Sequence, residues 1–265
     1  MKKKYVSKAE RICKQAILND DTTELENAIK AGLILRCVRI DSLTPLEYAV
    51  LGKCNNIVKW IVSNCKELMI ADELIYACGI GNSEAVDILI AANDDINRQG
   101  RTGTALRMAV QEGRIDLVNK LLSCNADVWC FSEYTLAPIY VAAAEGHSEI
   151  VYMLLKHIEL ADKSNLTLDK EKVLAEALII AGVYNHMPIV RAMVQWGLDI
   201  NSCNSEGRSL LFYALTYENH ELLSYLQENN CTVDTFDAYG ISTKRMMYES
   251  SYRTYVKNAV LNGTL

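Results

Sequence analysis

Nine cysteines, four histidines and scattered carboxylates are the side chains of this 265-residue sequence that could hold a metal, form a disulfide or catalyse. Zinc and dithiol redox sites need close thiol pairs. Cys13, Cys37, Cys54, Cys65, Cys78, Cys124, Cys130, Cys203 and Cys231 contain no Cys-x-x-Cys pair and are odd in number. They read as reduced packing thiols in a reducing compartment. His147, His186 and His220 each fall at or beside the residue after a turn, and no serine or cysteine sits in a nucleophile motif with a base. Gly79-Ile80-Gly81-Asn82 lacks the preceding strand of a phosphate loop. Asp94 and Asp95 read as solvated loop charge. No catalytic residue, cofactor or metal is expected.

A repeating apolar frame organises these side chains instead. Ala16, Ala49, Ala77, Ala109, Ala142, Ala181 and Ala214 head segments that read short helix, tight turn, second apolar helix, at intervals of 33, 28, 32, 33, 39 and 33 residues. A period near 33 describes a helical array in which no unit buries its own apolar face. Second helices carry wide stripes: Ile57, Val58, Ile61 and Val62; Val86, Leu89 and Ile90; Ile115, Val118, Leu121 and Leu122. Ile150, Val151, Leu154 and Leu155, then Ile189, Val190, Met193 and Val194, then Leu222, Leu223 and Leu226 continue them.

Thr44-Pro45-Leu46-Glu47-Tyr48-Ala49, Thr104-Ala105-Leu106-Arg107-Met108-Ala109, Ala137-Pro138-Ile139-Tyr140-Val141-Ala142 and Ser209-Leu210-Leu211-Phe212-Tyr213-Ala214 open four first helices. They resemble the Thr-Pro-Leu-His-x-Ala start of the ankyrin repeat, followed four residues after the alanine by a turn glycine, here Gly81, Gly113 and Gly146. The resemblance spans roughly residues 8 to 260 and implies an all-α ankyrin-repeat solenoid of about seven to eight helix-turn-helix repeats with short finger loops. It places the three histidines at turn hydrogen bonds. Lys53, Asn185 and Glu218 replace the glycine, so strained or differently shaped turns are expected there. Residues 1–265 read as one domain, with a capping repeat at 1–37, internal repeats at 38–239 and a C-terminal capping unit at 240–265, where Met247 takes the alanine place and Tyr248, Tyr252, Tyr255 and Val256 supply bulk. The interval of 28 lacks about one finger loop, at Cys65 to Leu68. The interval of 39 carries a polar insert, Glu159 to Lys172, read as a surface loop.

An ankyrin array binds through its first helices and finger tips, so the resemblance points to sites two and three residues after the alanine and six, eight and nine before it. Those are Leu18 and Asn19, Leu51 and Gly52, Gly79 and Ile80, Gln111 and Glu112, Tyr134, Leu136 and Glu145, Tyr184, Glu206, Arg208 and Tyr217, and Tyr239 and Ile241. Tyr134, Tyr184, Tyr217 and Tyr239 fall in register, an expected aromatic stripe about 30 Å long at roughly 10 Å per repeat. Tyrosine and arginine are favoured interface anchors. Trp129 and Phe131 sit two apart in a finger, on one side of an extended backbone. Two readings stand there: a partner-binding hot spot centred on Trp129 and Phe131, or Trp129 folded back on the neighbouring finger. Leu89 to Asn97 resembles the pattern that asparaginyl hydroxylases accept, which makes Asn97 a candidate hydroxylation site; the alternative is that its side chain bonds across the hairpin turn.

A net charge of -6 does not favour nucleic acid. Met1 to Lys4 is followed by no apolar signal core, and the longest apolar stretch, Ala177 to Val183, is too short to span a bilayer. The expected function is noncatalytic binding of a protein partner by a cytoplasmic monomer. Its lysine, asparagine and isoleucine richness and degenerate repeats are similar to those of host-directed effectors, delivered by a specialised secretion system. The alternatives are an enzyme with a site near 159–172 and a self-associating scaffold.

Overall fold

A computed structural model describes residues 8–65, 72–92, 95–130, 136–162, 167–229, 231–232 and 235–249. Among them the fold is all-α, with β-structure confined to isolated bridges at the finger hairpins. The chain falls into two compact units, Met1–Cys130 and Phe131–Leu265.

The first unit holds α1 (Lys8–Leu18), α2 (Thr22–Lys30), a 3-10 turn (Leu35–Cys37), α3 (Pro45–Leu51), α4 (Asn55–Asn64), α5 (Glu73–Ile80), α6 (Ser83–Ala91), α7 (Ala105–Gln111) and α8 (Ile115–Ser123). First helices pack in sequence order, α1 on α3, α3 on α5 and α5 on α7, while α2 packs on α4 and α4 on α6. The second unit repeats this with α9 (Pro138–Glu145), α10 (Ser148–Asp162), α11 (Leu168–Val183), α12 (Met187–Trp196), α13 (Leu210–Thr216), α14 (His220–Glu228) and α15 (Thr243–Glu249). There α9 packs on α11, α11 on α13, α13 on α15, and α10 on α12.

Local chemistry explains where these helices start. Thr44 and Glu47 form a reciprocal capping box, Thr44 Oγ1 accepting from Glu47 N at 3.1 Å and Glu47 Oε2 from Thr44 N at 2.6 Å, with Pro45 in the first turn where a missing N–H costs nothing. Thr104 and Ser209 cap α7 and α13 through the backbone N–H of Arg107 and Phe212. All seven framework alanines are fully buried.

The residue four after each alanine adopts the left-handed conformation in every repeat: φ is 50° at Asp20, 57° at Lys53, 68° at Gly81, 64° at Gly113, 78° at Gly146, 59° at Asn185 and 54° at Glu218. Lys53 and Glu218 therefore keep the glycine geometry in spite of their Cβ atoms. Packing of the two helices on either side fixes the turn, and the residue adapts.

Two expectations are corrected. The 159–172 segment is mostly helical: α10 runs on to Asp162 and α11 begins at Leu168, so the extra residues lengthen two helices. Their charged side chains suit an exposed helix as well as a loop, and Leu160 and Leu168 are 78% and 66% exposed, with nothing packed over them among the described residues. Ile115 is 38% exposed while Leu117 is buried. Ile115 is the first residue of α8, and Leu117 holds the place, eight after the alanine, of Ile57, Ile150, Ile189 and Leu222. The other residues of the second-helix stripes are buried or half-buried. Of the short finger expected at Cys65 to Leu68, residues 66–68 lie outside the described residues, as do residues 163–166 of the insert, the side chains of Met247 and Tyr248, and Tyr252, Tyr255 and Val256.

Candidate protein-binding surface

The places two and three residues after the alanine close each first helix and turn outward. Leu18 is 56% exposed, Leu51 37%, Tyr184 58% and Tyr217 60%, whereas Ile17, Val50, Cys78, Val110, Ala143 and Leu215, one residue after the alanine, are buried. Tyr184 and Tyr217 are the C-cap residues of α11 and α13, and the exposed Glu145 ends α9. On the finger side Leu136, Tyr239 and Ile241 are exposed and Arg208 is half-buried.

In the second unit these residues join a network. Tyr217 stacks on Tyr213, with ring centroids 6.3 Å apart and planes within 12°, and Tyr213 meets Phe212 edge-on at 5.5 Å. The Tyr213 hydroxyl accepts from Asn204 Nδ2 at 3.0 Å. Asn204 Oδ1 in turn accepts from the backbone N–H of Glu206 and Arg208, shaping the finger. Glu176 on α11 accepts from Ser205 N at 3.1 Å and Ser205 Oγ at 3.3 Å, tying helix to finger. Burial pushes the Tyr140 phenol above its ordinary pKa, and the neighbouring Glu176, Tyr184 and Tyr213 raise it further.

Arg208 is engaged within the chain. Its Nη1 pairs with Glu206 at 2.6 Å and its Nε with Asp237 at 3.3 Å, and its guanidinium lies 4.9 Å from the Phe212 centroid and 5.6 Å from that of Tyr239. Asp237 repeats the role of Asn204, its Oδ1 accepting from Tyr239 N and Ile241 N at 2.9 and 2.8 Å. Arg208 thus positions the Tyr239 ring while keeping part of its own surface open.

Trp129 belongs to the first unit and is half-buried; its backbone N–H donates to Asp127 Oδ1 at 2.8 Å. Phe131 and Tyr134 lie outside the described residues. Asn97 Oδ1 accepts from Asp127 N, in the following finger, at 2.7 Å. Asn201 Oδ1 does the same for Thr232 N at 2.6 Å, so this asparagine recurs as a seam between fingers. His186 Nε2 bonds to the Ala144 carbonyl at 3.1 Å, a tie between neighbouring repeats.

Tyr140, Glu176, Tyr213 and Asn204 complete the surface and were not singled out by the repeat register. A signal for Tyr213 existed: Tyr48, Tyr76 and Tyr213 all stand one residue before the framework alanine.

No three metal-ligating side chains converge among the described residues. All nine cysteines are free thiols, and burial pushes Cys13 and Cys78 up to about 12. No helix among the described residues is long and apolar enough to cross a membrane. Beside the 159–172 segment lies an open hollow of about 320 Å³ lined by Tyr152, Leu155, Lys156, Glu159, Gln195 and Trp196.

A family model described as ankyrin repeats in three copies matches residues 71–132 and 139–237. The nuclear factor NF-kappa-B p105 subunit of Gallus gallus is 28% identical over 134 residues, which is 50% of this chain and 13% of that protein. A probable E3 ubiquitin-protein ligase of Oryza sativa subsp. japonica is 29% identical over 125 residues, 46% of this chain and 27% of that protein. An ankyrin repeat and KH domain-containing protein of Caenorhabditis briggsae is 29% identical over 166 residues, 61% of this chain and 6% of that protein. The chain thus spans 27% or less of the length of these relatives.

Proposed function

This chain belongs to the ankyrin repeat family, and we propose that it is a noncatalytic module that binds a partner protein through its first helices and finger tips. The observation that carries the reading is the pair Tyr184 and Tyr217, more than half exposed at the same register position of successive repeats. Large aromatic surface held outward by a helix end offers contact area with few torsions to freeze. Glu145, Arg208 and Tyr239 of the second unit belong to the proposed surface; Trp129 of the first unit, and Phe131 and Tyr134, which lie outside the described residues, are proposed as further partner contacts. The enzymatic alternative would use the hollow beside 159–172, where Lys156 and Glu159 stand with Tyr152, Leu155, Gln195 and Trp196, and turnover of a small molecule by the purified chain would support it.

Partner capture by the intact chain, compared with a Tyr184→Ala/Tyr217→Ala variant, tests the assignment. The variant should lose at least about tenfold in affinity with thermal unfolding unchanged. Unchanged capture, or loss of folding, overturns it.

Free thiols support work in a reducing compartment, which we take to be a cytoplasm. A host-directed effector role is supported by composition and repeat degeneracy, and a translocation reporter fused to the chain in its native producer tests delivery. Hydroxylation of Asn97 would require opening its bond to Asp127 N; intact mass after coexpression with an asparaginyl hydroxylase reads it directly, and no added oxygen refutes it.

A further inference from the structure

Charge is divided unevenly along this chain. Residues 1–130 carry 17 acidic and 17 basic side chains, whereas 131–265 carry 16 acidic against 10 basic, so the whole net charge of -6 falls in the second unit. Part of that excess stands among its exposed tyrosines. Glu145 closes α9 three residues after its alanine, the position that Tyr184 and Tyr217 hold in the next two repeats, and Glu176 and Glu206 flank the finger beside Tyr213. The raised Tyr140 phenol reports the same field: burial and the carboxylate of Glu176 both disfavour another negative charge there.

The chain shows what such a combination accepts. Lys14 lies 5.4 Å from the Tyr48 ring centroid and pairs with Asp41 at 2.7 Å. Arg208 lies over Phe212 and Tyr239 while paired with Glu206 and Asp237. In both cases an aromatic face and a carboxylate hold one cation between them. Among the described residues no cation lies over Tyr184 or Tyr217, whose rings are exposed.

We infer that this face of the second unit takes a basic, extended segment of the partner protein, with arginine or lysine side chains over Tyr184 and Tyr217 and paired with Glu145 and Glu176. The inference rests on the protein-binding reading of the same surface and adds the chemistry of its occupant. Ring quadrupoles and carboxylates attract the same sign of charge, so an acidic segment is repelled where a basic one is steered in. Two repeat steps of roughly 10 Å separate the ends of α9 and α13, the reach of about six residues of extended chain.

The test uses the full chain and three labelled twelve-residue probes on a Gly-Ser background, carrying four arginines, four glutamates or four glutamines, with binding followed by fluorescence anisotropy. The arginine peptide alone should bind, and more weakly when salt is raised from about 50 to about 300 mM. Tyr184→Ala/Tyr217→Ala and Glu145→Gln/Glu176→Gln should each weaken it at least about tenfold. Glutamine at 176 keeps an acceptor oxygen for Ser205, and thermal unfolding verifies that each variant folds. Tyr152→Ala, which removes an exposed tyrosine from the second helix α10, should leave binding within about twofold. Absence of arginine-peptide binding, equal binding of the other probes, or indifference to the tyrosine and glutamate substitutions overturns the inference. Should that occur while partner capture still depends on Tyr184 and Tyr217, the module stands and only its basic occupant falls; loss of both dependences removes both.

Discussion

Lys53 holds its turn at φ 57°, where three repeats place glycine. A Cβ in that conformation costs roughly 1–2 kcal/mol, so Lys53→Gly should stabilise the chain by about 1 kcal/mol after the unfolded glycine's extra freedom is discounted; urea denaturation reads the midpoint shift. The fully buried Ala109 and Ala142 predict the opposite response to added bulk. Valine at either should cost about 1–3 kcal/mol by overpacking. Thiols give an independent probe of the same interior. The exposed Cys37 and Cys124 should label with a maleimide in the folded protein, while Cys13 and Cys78, buried and protonated with values pushed up to about 12, should label only on unfolding. The buried alanines and the glycine turns were legible as single letters at a fixed spacing. The geometry at Lys53 and Glu218 was not, because a repeat transmits its backbone through packing even where the letter changes.

Helices and fingers are joined by a few polar side chains. Asn82, 3% exposed, caps α6 through Ala85 N and donates to Asn55 Oδ1 at 2.8 Å and to the Val50 carbonyl at 3.3 Å. Asn82→Ala should cost about 1–2 kcal/mol, from a lost cap and two lost side-chain hydrogen bonds to Asn55 and Val50, measurable as a drop in denaturation midpoint. The last described finger should respond to acid. Burial opposes the charge of Asp237, but the N–H groups of Ile241 and Tyr239 and the Arg208 guanidinium outweigh it and hold the carboxyl below its ordinary 3.8. A depressed value means that its stabilisation is complete above that ordinary range and disappears as pH falls through the lower folded value. Asp237→Asn should therefore destabilise the protein near neutrality and flatten the acid limb of its stability profile. Apolar periodicity marked the second helices because their burial is two-sided. It placed Ile115 inside and read 159–172 as a loop, since a charged stretch without an apolar stripe looks alike as loop or as projecting helix.

The second unit carries all of the net negative charge and the tyrosine face, and this bears on how the molecule behaves in solution. A noncatalytic monomer should sediment independently of concentration, whereas the scaffold alternative requires a rising sedimentation coefficient. Reading residues 1–265 as one domain predicts a single calorimetric transition; two would assign residues 1–130 and 131–265 separate folding. The tyrosine positions on this face were legible because register alone sets which residues close a first helix. Tyr140, Glu176 and Asn204 escaped notice because their meeting depends on α9, α11 and a finger that are far apart along the chain. The seams between repeats have a chemical lifetime as well as a strength. Slow hydrolysis of an asparagine carboxamide to a carboxylate keeps an acceptor oxygen and removes the N–H donor. Asn97 and Asn201 only accept at their finger seams, so these bonds would outlast such ageing, whereas those of Asn82 and Asn219, which donate to Asn55 and Asn185, would not. Deamidation would therefore open the array along its turns and leave the fingers fastened.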